Sequence, residues 1–256
     1  MLKLPLKLID SLKVRSAHRG AIKRLDGRVA NKFALRKFVL NTEFGLCYNR
    51  IQKNANSTTV ILMDSISGGN RDAKISGGNR DAKRAKIAVP SIGDLGRADI
   101  SRLHEFRYFV VVRNPYSRVL SAFLDKFSRE KYKRRHREFS LDSAGFHEFV
   151  RWLDKGGLSK NSHWDLQQKQ MCFEVNGYDT VISFEDYNAE IRDFLVRSGV
   201  PADRISLDDS TAKGMHHKTS ASDRLHQFYN ADTQSIVKRC FMSDFLNLGY
   251  DPDRLD

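Results

Sequence analysis

Residues 113 to 123 combine an arginine, hydroxyl groups and a helix start in an order that suits phosphate binding. Arg113 ends an apolar stretch and Ser121 follows about two helical turns later, so both can face one point. A guanidinium and a hydroxyl that converge in this way fit a phosphate monoester. Arg118, one turn before Ser121, adds a cation on the same face. A surface arginine beside a capped helix explains any one of these residues, but not the whole string.

The loop of residues 52 to 58 is a second candidate for anion binding. If a helix starts here, its unpaired backbone N–H groups and its dipole favour an anion, and Lys53, Ser57 and Thr58 add a cation and two hydroxyls. The order Gly-x4-Gly-Lys-Ser/Thr of nucleotide triphosphatases is absent, and no acidic strand end is placed to hold magnesium. The loop therefore predicts a phosphate cradle, and no metal is expected.

Strands alternating with helices must position these two segments. Apolar patterns predict strands over Phe44–Ile51, Phe106–Val112 and Thr180–Phe184. Thr58 to Met63 is β-branched and favours a strand by propensity, but a parallel sheet requires a helix there. The alternation predicts an α/β fold whose central, mainly parallel sheet is flanked by helices.

Further helices are predicted after the central strand. Asn114 and Pro115 form a helix start, with Asn as the cap and Pro in the first turn. This helix is expected to run on into a basic stretch, Lys126 to Glu138, which could reach an anionic acceptor or form a solvated surface. Other helices are predicted over residues 143–155, 185–198 and 222–248.

The net charge of +13 implies an anionic partner, and much of it lies near the beginning of the chain. Residues 1–40 hold 11 Lys and Arg against Asp10 and Asp26. They are predicted to form a basic helical segment, either lying on an anionic lipid surface or solvated and packed on the main domain, residues 41–256. Because no run of 18 apolar residues and no secretory signal is visible, we expect a cytoplasmic protein, with peripheral membrane contact through residues 1–40 as an option.

Residues 66–74 read ISGGNRDAK, and residues 75–83 repeat this string letter for letter. Two copies of nine residues do not make a solenoid. The repeat is rich in glycine and charge, and it is interpreted as an exposed, mobile loop insertion into the main domain.

The string VVRNPYSRVLSAF resembles the 3′-phosphate-binding motif of sulfotransferases that use PAPS (3′-phosphoadenosine 5′-phosphosulfate). IQKNANSTT resembles their 5′-phosphosulfate loop. The similarity continues through NSHWDLQ, YDTVISFEDY and DFLNLGYD, and so covers about residues 44–251. The chain resembles a bacterial-like member of the carbohydrate sulfotransferases of the chondroitin, dermatan and HNK-1 type (sulfotransferase family 2).

This resemblance implies a three-layer, P-loop-like fold, PAPS as co-substrate, adenosine 3′,5′-bisphosphate as product, and a carbohydrate or glycoconjugate acceptor. It implies that Arg113 and Ser121 bind the 3′-phosphate and that Lys53 lies against the bridging oxygen of the phosphosulfate. The 5′-phosphate is then held by the backbone and hydroxyls of residues 54 to 58, which are Asn54, Ala55, Asn56, Ser57 and Thr58.

Sulfuryl transfer also needs a base for the acceptor hydroxyl, and eight histidines compete for that role. His163 is the candidate because it lies in the NSHWDLQ block, with a structural role in that loop as the alternative. His216 and His217 lie in a polar loop that either closes over the donor or is solvated. A basic protein that binds nucleotides, anionic polymers or a membrane surface without turnover is the alternative function, and nucleic acid is not expected as a partner.

Overall fold

A four-stranded sheet forms the centre of the protein in the computed structural model, which describes residues 37–67, 79–207 and 220–255. The strands are β1 (Phe38–Asn41), β2 (Leu46–Asn49), β3 (Arg107–Val112) and β4 (Thr180–Ser183). They lie in the order β1-β2-β3-β4. β1 pairs antiparallel with β2, whereas the β2–β3 and β3–β4 pairs are parallel. The predicted α/β fold with a mainly parallel sheet is confirmed.

Ten α-helices surround this sheet within the described ranges. They are α1 (Asn56–Ile66), α2 (Asn79–Ala88), α3 (Arg97–Ser101), α4 (Pro115–Phe127), α5 (Glu130–Arg135), α6 (Ser143–Trp152), α7 (Tyr187–Arg197), α8 (Leu225–Phe228), α9 (Ala231–Cys240) and α10 (Met242–Leu248). The sheet and the helices on its sides form the layers that an α/β fold requires.

The side chains of β3 alternate between two apolar clusters, as the period of a strand requires. Phe109 and Val111 pack in a cluster with residues of α1 and α7, whereas Val110 and Val112 pack on the opposite face. Both faces are covered, which explains why β3 reads as a continuous apolar run. A third cluster joins α4 and α6 to the C-terminal helices.

The predicted helix starts are confirmed at both chemically interesting segments. Residues 58 to 63 lie in α1, so the requirement of a parallel crossover overrides their β propensity. Asn114 caps α4, because its side chain accepts a hydrogen bond from the Tyr116 amide at 2.9 Å, and Pro115 occupies the first turn.

Three details differ from the sequence-based interpretation. β1 was not predicted, and its residues Phe38–Asn41 lie on both sides of the boundary drawn after residue 40. α4 ends at Phe127 and does not run on to residue 138; the shorter α5 follows it. The C-terminal stretch is divided among α8, α9 and α10.

Several predictions from the sequence fall outside the described residues. The helical interpretation of residues 1–36, most of the duplicated insertion and the loop with His216 and His217 lie there. None of the helices in the described ranges is long and apolar enough to cross a membrane.

Candidate active site

The loop between β2 and α1 has an unusual backbone. Lys53 and Ala55 adopt left-handed conformations, with φ of 71° and 49°, although neither is glycine. Such conformations cost about 1–3 kcal/mol each and cluster at functional sites. Ala55 caps α1, and its carbonyl accepts the hydrogen bond from the Thr59 amide at 2.9 Å. The amides at the start of α1 therefore point out of the helix end, where the helix dipole favours an anion.

The Asn54 side chain anchors this loop to the end of β3. Its Nδ2 donates to the Val111 carbonyl at 2.8 Å and to Oε1 of Gln167 at 2.6 Å. Asn54 is fully buried, and its Oδ1 has no hydrogen-bond partner among the residues that the structure describes. The Asn54 side chain thus fixes the loop to the end of β3 and to Gln167.

Lys53 forms a buried ion pair with Asp125 of α4, with Nζ 3.1 Å from Oδ2. Burial lowers the pKa of Lys53 to about 8, and Asp125 partly offsets that effect. Lys126 and Arg129 contact the same carboxylate at 3.3 Å and 2.6 Å. The three cations hold the pKa of Asp125 well below its usual range, against the opposing effect of burial. Asp125 was not among the residues selected from the sequence, and Lys126 was noted only as the start of the basic stretch.

Arg113 ends β3 and connects the two predicted segments. Its Nη1 donates to the Lys53 carbonyl at 3.2 Å, and its Nε donates to Oγ of Ser117 at 2.8 Å. The guanidinium lies 3.9 Å from the centre of the Phe184 ring. Burial lowers the pKa of Arg113 to about 10, with Glu185 opposing the shift, so Arg113 is charged at neutral pH. Ser121 is buried one turn further along α4 than Ser117.

Arg118 has a structural role rather than the ligand-facing position expected from its spacing. It is fully buried, and its guanidinium donates to the backbone carbonyls of Gln52, Asp165 and Ser162, at 3.1, 2.8 and 3.3 Å. These bonds join the start of the 52–58 loop to the segment that carries His163. Arg118 of α4 therefore fixes the position of the 52–58 loop relative to the segment that carries His163.

His163 lies where the charges of Lys53 and Lys126 act on it. Burial lowers its pKa to about 3, and Lys126 and Lys53 add to that effect. Nδ1 of His163 lies 2.7 Å from Oδ1 of Asn161. Because an amide oxygen only accepts, Nδ1 carries the hydrogen and Nε2 keeps its lone pair. The neutral ring thus has the protonation state that a general base needs.

Two further cations lie at the first turn of α1. Nε of Arg50 donates to Oδ1 of Asn56 at 3.1 Å, and Nζ of Lys86, from α2, donates to Oγ of Ser57 at 3.1 Å. Burial lowers the pKa of Lys86, and the charges of Arg50 and Lys126 lower it further. Thr58 is buried in the same turn. No local pattern marked Lys86, since it is far from Ser57 in sequence.

Arg50 and Lys86 carry no acidic counterpart in the part of the chain that is described: no carboxylate there lies within 4.0 Å of either. Half-buried cations close to one another are unfavourable unless an anion compensates them. Across the described ranges there is no group of three or more His, Cys, Asp or Glu side chains that could hold a metal ion. A bound anion would compensate the charges of Arg50 and Lys86.

Comparison with known proteins identifies the family. The model of the sulfotransferase family (Sulfotransfer_2) matches residues 36–251. Carbohydrate sulfotransferase 14 of Danio rerio is 26% identical over an alignment of 243 residues; the match covers 86% of this chain and 63% of that protein. Carbohydrate sulfotransferase 10 of Xenopus laevis is 24% identical over an alignment of 165 residues; the match covers 58% of this chain and 46% of that protein.

The chain thus spans less than two thirds of either relative, and no solved structure matches it significantly. The family match covers the whole sheet, both segments that were predicted to bind anions and the segment with His163. The chain belongs to the sulfotransferase family of enzymes.

Proposed function

We propose that this enzyme transfers the sulfuryl group of PAPS to a hydroxyl of a carbohydrate or glycoconjugate acceptor. The observation that carries the proposal is the bond from Arg113 Nη1 to the Lys53 carbonyl, which joins the two segments expected to bind the two phosphate-bearing ends of the donor. One doubly phosphorylated nucleotide can then contact both.

The charges around these segments fit such a donor. Arg113 is charged and buried at one segment, and Lys53, Arg50 and Lys86 surround the other. We infer that Arg113 and Ser121 hold the 3′-phosphate, and that the backbone from Asn54 to Thr58 holds the 5′-phosphate. The Ser117 hydroxyl accepts a hydrogen bond from the Arg113 side chain and could also donate a hydrogen bond to the 3′-phosphate.

Sulfuryl transfer is an in-line displacement at sulfur: a bond from the acceptor oxygen to sulfur forms as the bond from sulfur to the bridging oxygen breaks. Bound PAPS supplies the activated sulfuryl group. In this proposal Lys53, protonated and aimed by Asp125, stabilises the negative charge that develops on the leaving oxygen. Because it is desolvated, its charge acts strongly there.

His163 is proposed as the base that accepts the acceptor proton at Nε2. In the ligand-free protein its low pKa comes from burial and from Lys126 and Lys53. A bound anion would compensate these cations and raise the pKa of the ring, which makes the base stronger when the donor is in place. Asn161 keeps the ring in the tautomer that this role requires.

The acceptor class rests on the two carbohydrate sulfotransferases to which the chain is similar. The proposal is tested by incubating the purified protein with radiolabelled PAPS and a panel of neutral and acidic carbohydrates. Label should move to at least one carbohydrate, with release of adenosine 3′,5′-bisphosphate, and transfer should be lost in Lys53→Met. Magnesium-dependent hydrolysis of ATP without any sulfuryl transfer would contradict it.

A further inference from the structure

The Gln167 side chain contacts both segments that are proposed to bind the phosphates. It is fully buried. Its Oε1 accepts a hydrogen bond from the Arg113 amide at 3.0 Å, and its Nε2 donates to the Arg113 carbonyl at 2.8 Å. The same Oε1 accepts from Nδ2 of Asn54 at 2.6 Å. One side chain therefore fixes the backbone at the end of β3 and the loop that precedes α1.

The backbone of Gln167 is itself held in place from the opposite side. The Gln167 amide donates to Oδ2 of Asp244 at 2.7 Å, and the Gln168 amide donates to Oδ1 of the same carboxylate at 3.2 Å. Asp244 is fully buried in α10 and interacts with the charge of Arg118. Gln167 is thus held in place by Asp244, and its side chain links the end of β3 to the 52–58 loop.

We propose that Gln167 is a positioning residue that couples the two phosphate-binding segments; this inference rests on the proposed use of a doubly phosphorylated donor. The two phosphates of such a donor can be separated only by the limited range of distances that one nucleoside allows, so both segments must keep a matching separation. A buried amide that bonds to both segments sets that separation before the ligand arrives. Removing its polar atoms should weaken cooperation between the segments, while each can still bind one phosphate.

The test compares three nucleotides by calorimetry: AMP, adenosine 3′-monophosphate and adenosine 3′,5′-bisphosphate. In the wild-type protein the bisphosphate should bind more tightly than either monophosphate. In Gln167→Met this preference should fall about tenfold, within the usual range of coupling between sites. The affinity for each monophosphate should change less than about threefold, since each contacts one segment only. Gln168→Met is the matched control, because its side chain donates to the Ser243 carbonyl, and it should keep the preference.

Gln167→Glu provides a second, independent test of the hydrogen bonds that the Gln167 side chain makes with Arg113. A protonated carboxyl can accept from the Arg113 amide and donate to the Arg113 carbonyl, as the amide does, whereas a carboxylate cannot donate. The preference of Gln167→Glu for the bisphosphate over the monophosphates is compared with that of the wild type at each pH. It should approach the wild-type preference as the pH is lowered and the carboxyl becomes protonated. If Gln167→Met does not fold, the nucleotide preference of Gln167→Glu, measured over a range of pH, tests the inference instead.

An unchanged preference in Gln167→Met would overturn the inference, and so would an equal weakening of all three nucleotides, which would indicate only a structural role. A preference in Gln167→Glu that stays below that of the wild type at every pH would also contradict it. A wild-type protein that binds AMP and the bisphosphate equally would instead remove the proposed function, and the inference with it.

Discussion

Nζ of Lys53 lies 3.1 Å from Oδ2 of Asp125, and the two side chains are only 12% and 7% exposed. Lys126 and Arg129 contact the same carboxylate. Asp125 therefore aims Lys53 and compensates a group of cations that would otherwise repel one another. This relationship connects the stability of the protein to the chemistry proposed for its site.

Asp125→Asn should destabilise the protein by about 3 kcal/mol, because removing one partner of a buried ion pair leaves uncompensated charge. Thermal and denaturant unfolding measure this loss. Asp193→Asn is the control, since its pair with Arg197 is largely exposed, and it should cost less than about 1 kcal/mol. A loss in Asp125→Asn no larger than that of the control would refute the role given to Asp125.

The pH dependence of stability follows from the same carboxylate. The pKa of Asp125 is lowered in the folded protein, so its contribution is fully present above the pH at which the unfolded carboxyl titrates, about 4. It is lost as the pH falls toward the lower folded-state pKa. Asp125→Asn should lack this part of the acid-induced loss of stability, which unfolding curves recorded between neutral and acidic pH would detect.

Binding of the bisphosphate should take up protons near pH 8. Lys53 has a pKa of about 8 in the free protein, and a bound anion favours its charged form. Affinity should therefore fall as the pH rises above 8, by at most about tenfold per pH unit. Calorimetry in buffers of different ionisation enthalpy measures the uptake, and Lys53→Arg should abolish it. Equal apparent enthalpies in all buffers would contradict this assignment.

His163→Ala should lower kcat by about 10²- to 10⁴-fold, the range of general-base catalysis, with little change in the affinity for the bisphosphate. Asn161→Ala should lower kcat less, because the ring loses only the partner of Nδ1. His104→Ala is the control, since that side chain is 71% exposed. Steady-state kinetics with the radiolabelled donor separate the two parameters. A kcat that His163→Ala leaves intact would assign the proton transfer to another group.

Lys86→Ala should weaken the binding of AMP and of the bisphosphate by a similar factor, about 10- to 100-fold, the size of one charge-assisted hydrogen bond. Both ligands carry the 5′-phosphate that is proposed to lie at the first turn of α1. Lys238→Ala, which removes a cation paired with Asp253, should leave both affinities unchanged. If Lys238→Ala weakened binding as much as Lys86→Ala, general charge and not the Lys86 position would be responsible.

Much of the fold could be predicted because its elements follow from patterns along the chain. Asn114 and Pro115 indicated the start of α4, and the parallel crossover required a helix at Thr58 despite its neighbours' β propensity. β1 was missed because it is only four residues long and overlaps the end of the basic segment, residues 1–40. Its position is decided by pairing with β2 and by burial in the tertiary structure, which local patterns do not show.

The candidate site was predicted only in part, because contacts made by the tertiary structure are not visible in local sequence patterns. Lys53 and Arg113 lie in motifs with recognisable order, and the structure places them in contact. Gln167 lay within a block that was noted, but its bonds to both loops depend on the fold. Asp125 could have been suspected from its position one turn after Ser121. Lys86 is brought to Ser57 by packing of α2 beside α1, which no spacing in the sequence reveals.

The central claim is that two anion-binding segments hold opposite ends of one doubly phosphorylated nucleotide. Calorimetry of adenosine 3′,5′-bisphosphate against AMP tests it directly, with Arg113→Ala and, as control, Arg107→Ala at the exposed start of the same strand. Wild type and Arg107→Ala should prefer the bisphosphate, and Arg113→Ala should not. Equal affinities of the wild-type protein for both nucleotides, or a preference that survives in Arg113→Ala, would contradict it.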